Sequence, residues 1–392
     1  MISVEEALSR VFDLVQPLDC ETVPLANASG RYMAAPATAT RAQPPFPASA
    51  MDGYAVSGSA APGSVFVVVG AASAGHAWAG HLDPGQAIRI FTGAPVPPGA
   101  DRVVIQEDVT RTGNQITLSD TPDTAAHVRA MGQDFQVGDT LSPRLLRPAD
   151  IALLAAMNVD TVSVTRKPVV AIIATGDELV MPGEMPRPDQ IIASNSFALK
   201  AMVEEAGGTA RMLPIARDTE ASLTAAFDLA AGADLIVTIG GASVGDHDLV
   251  GKVAADMGME RAFYKIAMRP GKPLMAGRIN GTPMLGLPGN PVSSIVCGHI
   301  FMLPMLRVLQ GLGAVPPQMQ RAILGTALPA NGPRAHYMRA VVSALGGTRT
   351  ITAFSTQDSA LLSVLAQANA LLLRPVNDGP RAVGDPVDYL PI

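Results

Sequence analysis

Between Lys167 and about Leu312 the chain alternates short, continuous apolar runs with longer helix-like stretches. PVVAIIATG, ARMLPIA, DLIVTIGG and TPMLGLPG have the length and Gly/Pro punctuation of strands buried on both faces. Between or after them lie SNSFALKAMVEEAGG, TEASLTAAFDLAAG, HDLVGKVAADMG and VSSIVCGHIFMLPMLRVLQG, which read as helices. Alternation of this kind predicts a parallel α/β sheet. The flanking regions follow a different grammar. Residues 22–100 are rich in Pro, Gly and Ala and carry short β-like runs, SVFVVVG (64–70) and QAIRIFTG (86–93). DRVVIQEDV (101–109) and NQITLSD (114–120) continue this pattern, which predicts small sheets. MISVEEALSRVFDLV predicts an amphipathic helix opened by a Ser3/Glu6 capping box, and LRPADIALLAAMNV (146–159) a second helix with Pro148 near its start. VPP at 315–317 reads as a linker, and the remainder as mostly β, with strands near 336–344 and 370–376 and a VGDPVDYLPI ending. No internal repeat or low-complexity tract interrupts the chain.

Composition narrows the function classes. A chain of 392 residues suggests two to four domains, and 48% hydrophobic against 16% charged residues describes a globular protein. The net charge of -6 gives no support for a nucleic-acid partner. Cys20 and Cys297 are the only cysteines and stand far apart, which rules out a disulfide framework or zinc finger and suits a reducing compartment. The N-terminus is acidic where a signal peptide would be basic, and no apolar run approaches the ~18 residues that span a bilayer. The expectation is a cytoplasmic protein with no membrane association. Lysine occurs only at 167, 200, 252, 265 and 272, which lends some weight to those in loops.

Three of the central strands run into loops of special composition. IIAT, ending at Thr175, leads into Gly176, Asp177 and Glu178; IVTI into GGASVGDHD, residues 240–248; MLGL into Pro288-Gly289-Asn290-Pro291. In an open parallel sheet such loops share one edge, where glycines and helix N-termini admit anions. Asp177, Glu178, Asp246 and Asp248 suit a divalent cation bridging to phosphates. YKIAMRPGKPL adds Lys265, Arg269 and Lys272 for phosphate or another oxyanion. Each piece has a bland reading: TGDEL is a common strand-exit turn, PGNP a helix start, RPGKP a solvated loop. GGASVG matches neither the Walker pattern nor GxGxxG. The histidines, at 76, 81, 127, 247, 299 and 336, show no ligand spacing, and only His247 has neighbours of interest. The order of these features on one sheet edge favours a site for a phosphorylated anion and a metal.

TGDEL, GGASVGDHD, MRPGKPL and LPGNPVSS resemble the central domain shared by MogA-type and MoeA-type molybdopterin proteins, gephyrin and CinA-like proteins. PFPASAMDGYAV (45–56), IRIFTGAPVPPGADRVVIQED (88–108) and VRAMGQDF (128–135) resemble MoeA specifically, as do GPRAHYMRA (332–340) and SALLSVLAQAN (359–369). The resemblance covers nearly the whole chain. It implies a multidomain α/β and β protein: a discontinuous N-terminal linking domain of helical character (1–26, 40–50, 136–166), a small β-rich domain (27–39, 51–135), a MogA-like parallel α/β domain (167–314) and a barrel-like C-terminal β domain (315–392). It also implies a molybdopterin molybdotransferase that inserts molybdate into adenylyl-molybdopterin with Mg²⁺-dependent release of AMP. The implied partners are a second copy in a homodimer, a MogA-type adenylyltransferase and apo-molybdoenzymes. Carried over by motif, Asp52, Thr92 and Asp134 contribute from the N-terminal region. Glu178, Asp218, Gly240, Gly241, Ser243, Gly245, Asp246 and Asp248 line the nucleotide and metal side. Lys265, Arg269, Lys272, Pro288, Asn290, Pro291 and Ser293 surround the anions, and Arg339 and Ser363 close the molybdate side.

Three positions depart from the family pattern: Arg269 where Lys is frequent, Gln133 where an acid is common before Asp134, and Ala193 where an acid often precedes Ser-Asn. Arg keeps the charge but changes the donor geometry, a mild change, while the Gln133 and Ala193 departures bear on affinity or metal choice, so a tungstate-preferring relative is one alternative. A CinA-like nucleotide hydrolase is disfavoured by the MDGYA and FTGAPVPPGAD segments. A gephyrin-like scaffold is disfavoured by the absence of a long linker.

Overall fold

The computed structural model describes residues 1–241, 249–345 and 347–392. Two compact units divide the chain: Met1–Glu21 with Thr165–Ile392, and Thr22–Val164.

In the first unit, four parallel strands form one side of a six-stranded sheet, running inward from its edge in the order Thr209–Met212, Val169–Ala174, Leu235–Ile239, Thr282–Leu287. Side chains alternate between faces with period two. Val170 and Ile172 pack beneath Leu199, Val203, Val296 and Phe301, while Ala171 and Ile173 meet Leu223, Phe227, Val250 and Val253 on the opposite face. Both faces are therefore covered by helix, which is why these strands read as unbroken apolar runs. The helix Val4–Phe12 adds Val4, Ala7, Leu8 and Val11 to the first of these cores. Ser3 caps it, its hydroxyl accepting the Glu6 N–H at 3.0 Å; the Glu6 carboxylate turns to Arg10. Where the first strand begins, Arg166 grips Asp234 with two nitrogens, and Asp234 also accepts the Val169 N–H at 2.8 Å.

The parallel sheet is extended by an antiparallel edge absent from the sequence reading. Met275–Ile279 pairs antiparallel with Thr282–Leu287, and Glu260–Tyr264 with Met275–Ile279. The signal was present: Asn280 and Gly281 both have positive φ, the conformation a two-residue hairpin requires.

Pro291–Leu309 is a continuous 19-residue helical run containing a wider turn at Gly298–Met302. By length and composition it could cross a membrane, contrary to the expectation that no run approaches that length. Its apolar residues are mostly buried in the core of the unit, so it reads as a core helix.

The C-terminal strands close into a five-stranded barrel, as expected. Ala335–Leu345, Thr348–Ala353, Gln320–Leu324, Pro386–Pro391 and Ala370–Arg374 pair in that order, and the last returns to the first. The short strand Met268–Arg269 joins Ala335 and His336 in parallel, which stitches the MRPGKPL segment to the barrel.

The second unit corrects the expectation of a helical N-terminal domain: it is mostly strand. A six-stranded sheet runs Arg102–Ile105, Gly53–Val56, Gln86–Ile90, Val65–Ala72, Gln115–Leu118, Val109–Thr112. A smaller sheet packs with the helix Pro148–Ala156 around Met33, Leu146, Leu154 and Val164. The Pro/Gly-rich loops interrupt helical runs but tolerate short strand pairings, which accounts for this outcome.

Candidate functional site

A cleft of about 680 Å³ opens where Val169–Ala174, Leu235–Ile239 and Thr282–Leu287 end. Thr175, Gly176, Glu178, Asp218, Gly240, Gly241, Pro288, Asn290 and Pro291 line it. The expectation that three strand-exit loops converge on one edge is met. Leu179, Ile191 and Ile192 form an apolar wall, and Pro273 and Ala360 bound the cleft from the MRPGKPL segment and the C-terminal region.

Each loop is held by backbone contacts that follow from its sequence. Thr175, buried, donates through its hydroxyl to the Ile239 carbonyl at 3.2 Å. Gly176 has φ +146°, and a Cβ there would lie 2.3 Å from Glu178 Oε2, so only glycine lets the Glu178 carboxylate fold over the turn. Asp177 does not point its acid into the cleft as a free ligand: Oδ1 accepts the Asp218 N–H at 3.2 Å. Pro291 opens the core helix at its first turn, and Ser293 is buried behind it. Among the described residues, neither the Glu178 nor the Asp218 carboxylate has a hydrogen-bond or ion-pair partner. No trio of His, Cys, Asp or Glu stands at metal-binding distance among those residues. Ser243, Gly245, Asp246, His247 and Asp248 lie outside them.

The cations stand beside the cleft, not on its lining. Lys265 has φ +73°, and its Nζ sits 5.1 Å from the centre of the Tyr264 ring. Lys272 is exposed, immediately before Pro273. Gly271, at φ +108°, presses against Cys297, whose Sγ would lie 2.5 Å from an added Cβ. Arg269 pairs in register with His336, and Arg339 is 1% exposed, donating to Gln357 at 3.2 Å and the Asp358 carbonyl at 2.7 Å. Burial, then the charges of Arg269, Arg339, Arg334 and Arg374, push the His336 pKa down to about 4, so the ring is neutral at ordinary pH. Burial likewise lowers the Arg339 pKa, opposed by Asp358 and assisted by Arg269. Ser363 is exposed on the helix Leu362–Gln367.

In the other unit, Asp52 and Thr92 are brought together. Asp52 Oδ1 accepts the Thr92 N–H at 2.8 Å and its hydroxyl at 2.7 Å. These two bonds, in that order, and the charge of Arg89 hold the Asp52 carboxyl below the usual range. Asp134 shares no hydrogen bond with either; its own N–H donates to the Gln43 carbonyl. Arg89 is a residue the sequence reading missed. It donates to the Gly53 carbonyl and to Gln106, and stacks over Tyr54 and Phe91. Asn195 and Arg217 were missed in the first unit. Asn195 donates to the Gly289 carbonyl at 2.7 Å, and Arg217 reaches three carbonyls of the Gly176–Leu179 turn. The SN of IIASNS was a usable hint for Asn195; nothing local marked Arg217.

Residues 2–158 match the MoeA N-terminal region (domain I and II), 171–308 a probable molybdopterin binding domain, and 321–392 the MoeA C-terminal region (domain IV). A molybdopterin molybdenumtransferase of Nostoc sp. is 36% identical over 96% of this chain and 91% of its own length. The chain belongs to the MoeA family of molybdopterin molybdenumtransferases, enzymes of molybdenum-cofactor biosynthesis. A second family member, molybdopterin molybdenumtransferase 2 of Mycobacterium tuberculosis, is 35% identical over 95% of both chains. Among solved structures, a molybdopterin biosynthesis MoeA protein from Pyrococcus horikoshii superposes with TM-score 0.83 at 30% identity, covering 100% of this chain and 99% of that one. The MoeA resemblance read from the sequence motifs therefore holds along the whole chain.

Proposed function

We propose that this molybdenumtransferase takes adenylyl-molybdopterin into the 680 Å³ cleft, with its phosphates over the strand-exit loops, and molybdate at the basic side beyond Pro273 and Ala360. The observation that carries this reading is the pairing of two carboxylates that have no partner among the described residues, Glu178 and Asp218, with a neighbouring cation-rich segment. Thr175, Gly176, Gly240, Gly241, Pro288, Asn290 and Pro291 shape the anion cradle, with Ser293 behind it. Lys265, Arg269 and Lys272 supply positive charge, and Arg339 and Ser363 close the molybdate side; a tetrahedral dianion suits such donors. Glu178 and Asp218 offer only oxygen, the donor set Mg²⁺ accepts from one or two carboxylates beside substrate phosphates. Asp246 and Asp248 are proposed to join them, with Ser243 and Gly245 on the same loop. Bound there, Mg²⁺ would neutralise phosphate charge during AMP departure.

The proposal extends to a four-domain homodimer, in which Asp52, Thr92 and Asp134 of one subunit serve the cleft of the other. A MogA-type adenylyltransferase supplying the substrate, apo-molybdoenzymes receiving the product and a cytoplasmic setting belong to the same reading. The test is AMP release from adenylyl-molybdopterin and Mg²⁺ with molybdate and tungstate titrated separately. Saturable release with molybdate and activation of an apo-molybdoenzyme support the reading. Saturation with tungstate alone makes the protein the tungstate-preferring alternative, and release with neither removes the proposed chemistry.

A further inference from the structure

Four consecutive carbonyls leave the Gly176–Leu179 turn, and all four are satisfied from a distance. The Glu178 carbonyl accepts the Ile191 N–H at 2.8 Å. The other three, of Gly176, Asp177 and Leu179, share the two N–H donors of one nitrogen of Arg217 at 3.3, 3.1 and 3.1 Å. Arg217 is anchored at its own backbone, where its N–H donates to Ser222 in the first turn of the helix Glu220–Leu229. The next residue, Asp218, donates its N–H to the Asp177 carboxylate, so the turn and the Arg217–Asp218 segment bind each other in both directions. Each segment carries one of the two cleft-lining carboxylates that have no partner among the described residues.

From this wiring we infer that Arg217 is a positioning residue for the molybdenumtransferase reaction: it fixes the turn bearing Glu178 against the segment bearing Asp218, and so sets the spacing of the two acids that would share a cation. The inference rests on the proposed role of those acids. A guanidinium suits the task because it is planar, always charged and able to hold several acceptors in fixed directions. Lysine brings the same charge on a flexible stem and recovers only part of this geometry. Residues that orient metal-binding groups from behind typically change affinity or rate by about 10- to 100-fold when removed.

The experiment compares Arg217→Met, Arg217→Lys and Asp177→Asn with the wild-type chain by two readouts. Mn²⁺ binding to the protein alone is followed by water-proton relaxation, and AMP release is titrated separately with Mg²⁺ and with molybdate. The expected result is Mn²⁺ affinity and Mg²⁺ half-saturation weakened by about 10-fold or more in Arg217→Met, with a smaller loss in Arg217→Lys and Asp177→Asn. Half-saturation by molybdate stays within about twofold, because the basic segment is built on other elements. Mn²⁺ affinity and Mg²⁺ half-saturation unchanged in Arg217→Met overturn the inference, as does a loss equal for Mg²⁺ and molybdate, which marks general disruption. Should Arg217→Met not fold, Arg217→Lys and Asp177→Asn decide by the same two readouts. Wild-type protein that binds Mn²⁺ but releases no AMP defeats the activity reading, and the Mn²⁺ series still decides the role of Arg217.

Discussion

Asp52 and Glu178 are both exposed acids in loops beside strands, one in each unit of the chain, yet their surroundings differ. Asp52 is already supplied with donors: the amide and hydroxyl of Thr92 fix one oxygen, and Arg89 adds its charge. Glu178 receives none among the described residues and is folded over a glycine that leaves it just enough room. An acid that its own chain has hydrogen-bonded is oriented and kept ionised, while an acid left unpartnered keeps its lone pairs for an incoming cation. The contrast separates a carboxylate used for shape and fixed charge from one available for ligation.

The sharpest way to break this comparison is Glu178→Gln. Metal-dependent AMP release is expected to fall roughly 100-fold, as for loss of a metal-ligating charge, with the melting temperature unchanged. Unaltered turnover would remove Glu178 from the reaction. Gly176→Ala comes next, since its Cβ would meet the Glu178 carboxylate at 2.3–2.8 Å on a backbone of φ +146°. A stability loss of about 1–3 kcal/mol in urea unfolding is expected, together with a weaker Mg²⁺ response. Asp52 titration should not move.

A third group sharpens the comparison from the basic side, where burial excludes charge outright. His336 has its pKa lowered to about 4 in the folded chain, so the unfolded chain takes up a proton first as pH falls below 6.5. Its contribution is intact above that pH and is lost on the way down to about pH 4, with a slope near 1.4 kcal/mol per pH unit. His336→Gln should flatten that segment of the stability–pH curve measured by chemical denaturation; an identical slope would show that other groups set it. The smallest effect is expected from Thr92→Val, which removes one of two donors to Asp52. The Asp52 pKa should rise part of the way back to 3.8, as read by NMR titration of its carboxyl carbon. Because the wild-type pKa is depressed, the small stability it supplies lies above that ordinary value and is lost as pH falls through the folded value. An unmoved titration would mean that the Thr92 amide alone sets the pKa.

The four parallel strands, their covering helices and the three loops at their ends were legible because burial on both faces leaves unbroken apolar runs and turns demand glycine. The antiparallel edge was marked only by the Asn280–Gly281 turn, because Met275–Ile279 is short and almost wholly buried and so shows no alternation of polar and apolar positions. The N-terminal region read as partly helical from two helix-like segments. One of them, Val4–Phe12, packs into the core of the other unit, and strand dominates the remainder. Arg339 shows the limit most plainly: by residue type it belongs at the surface, and it is 1% exposed.

The sequence by itself determined which residue types stand at the strand ends, that glycines open the loops, and that the chain belongs with the MoeA proteins. Only the tertiary structure decided which acids accept hydrogen bonds from other described residues and which do not. That decision is made by hydrogen bonds between residues forty or more apart, Asp52 with Thr92, Asp177 with Asp218, and Arg217 with the Gly176 turn. Local periodicity carries no information about such pairs, because they form only when separate strands end at the same edge of a folded sheet.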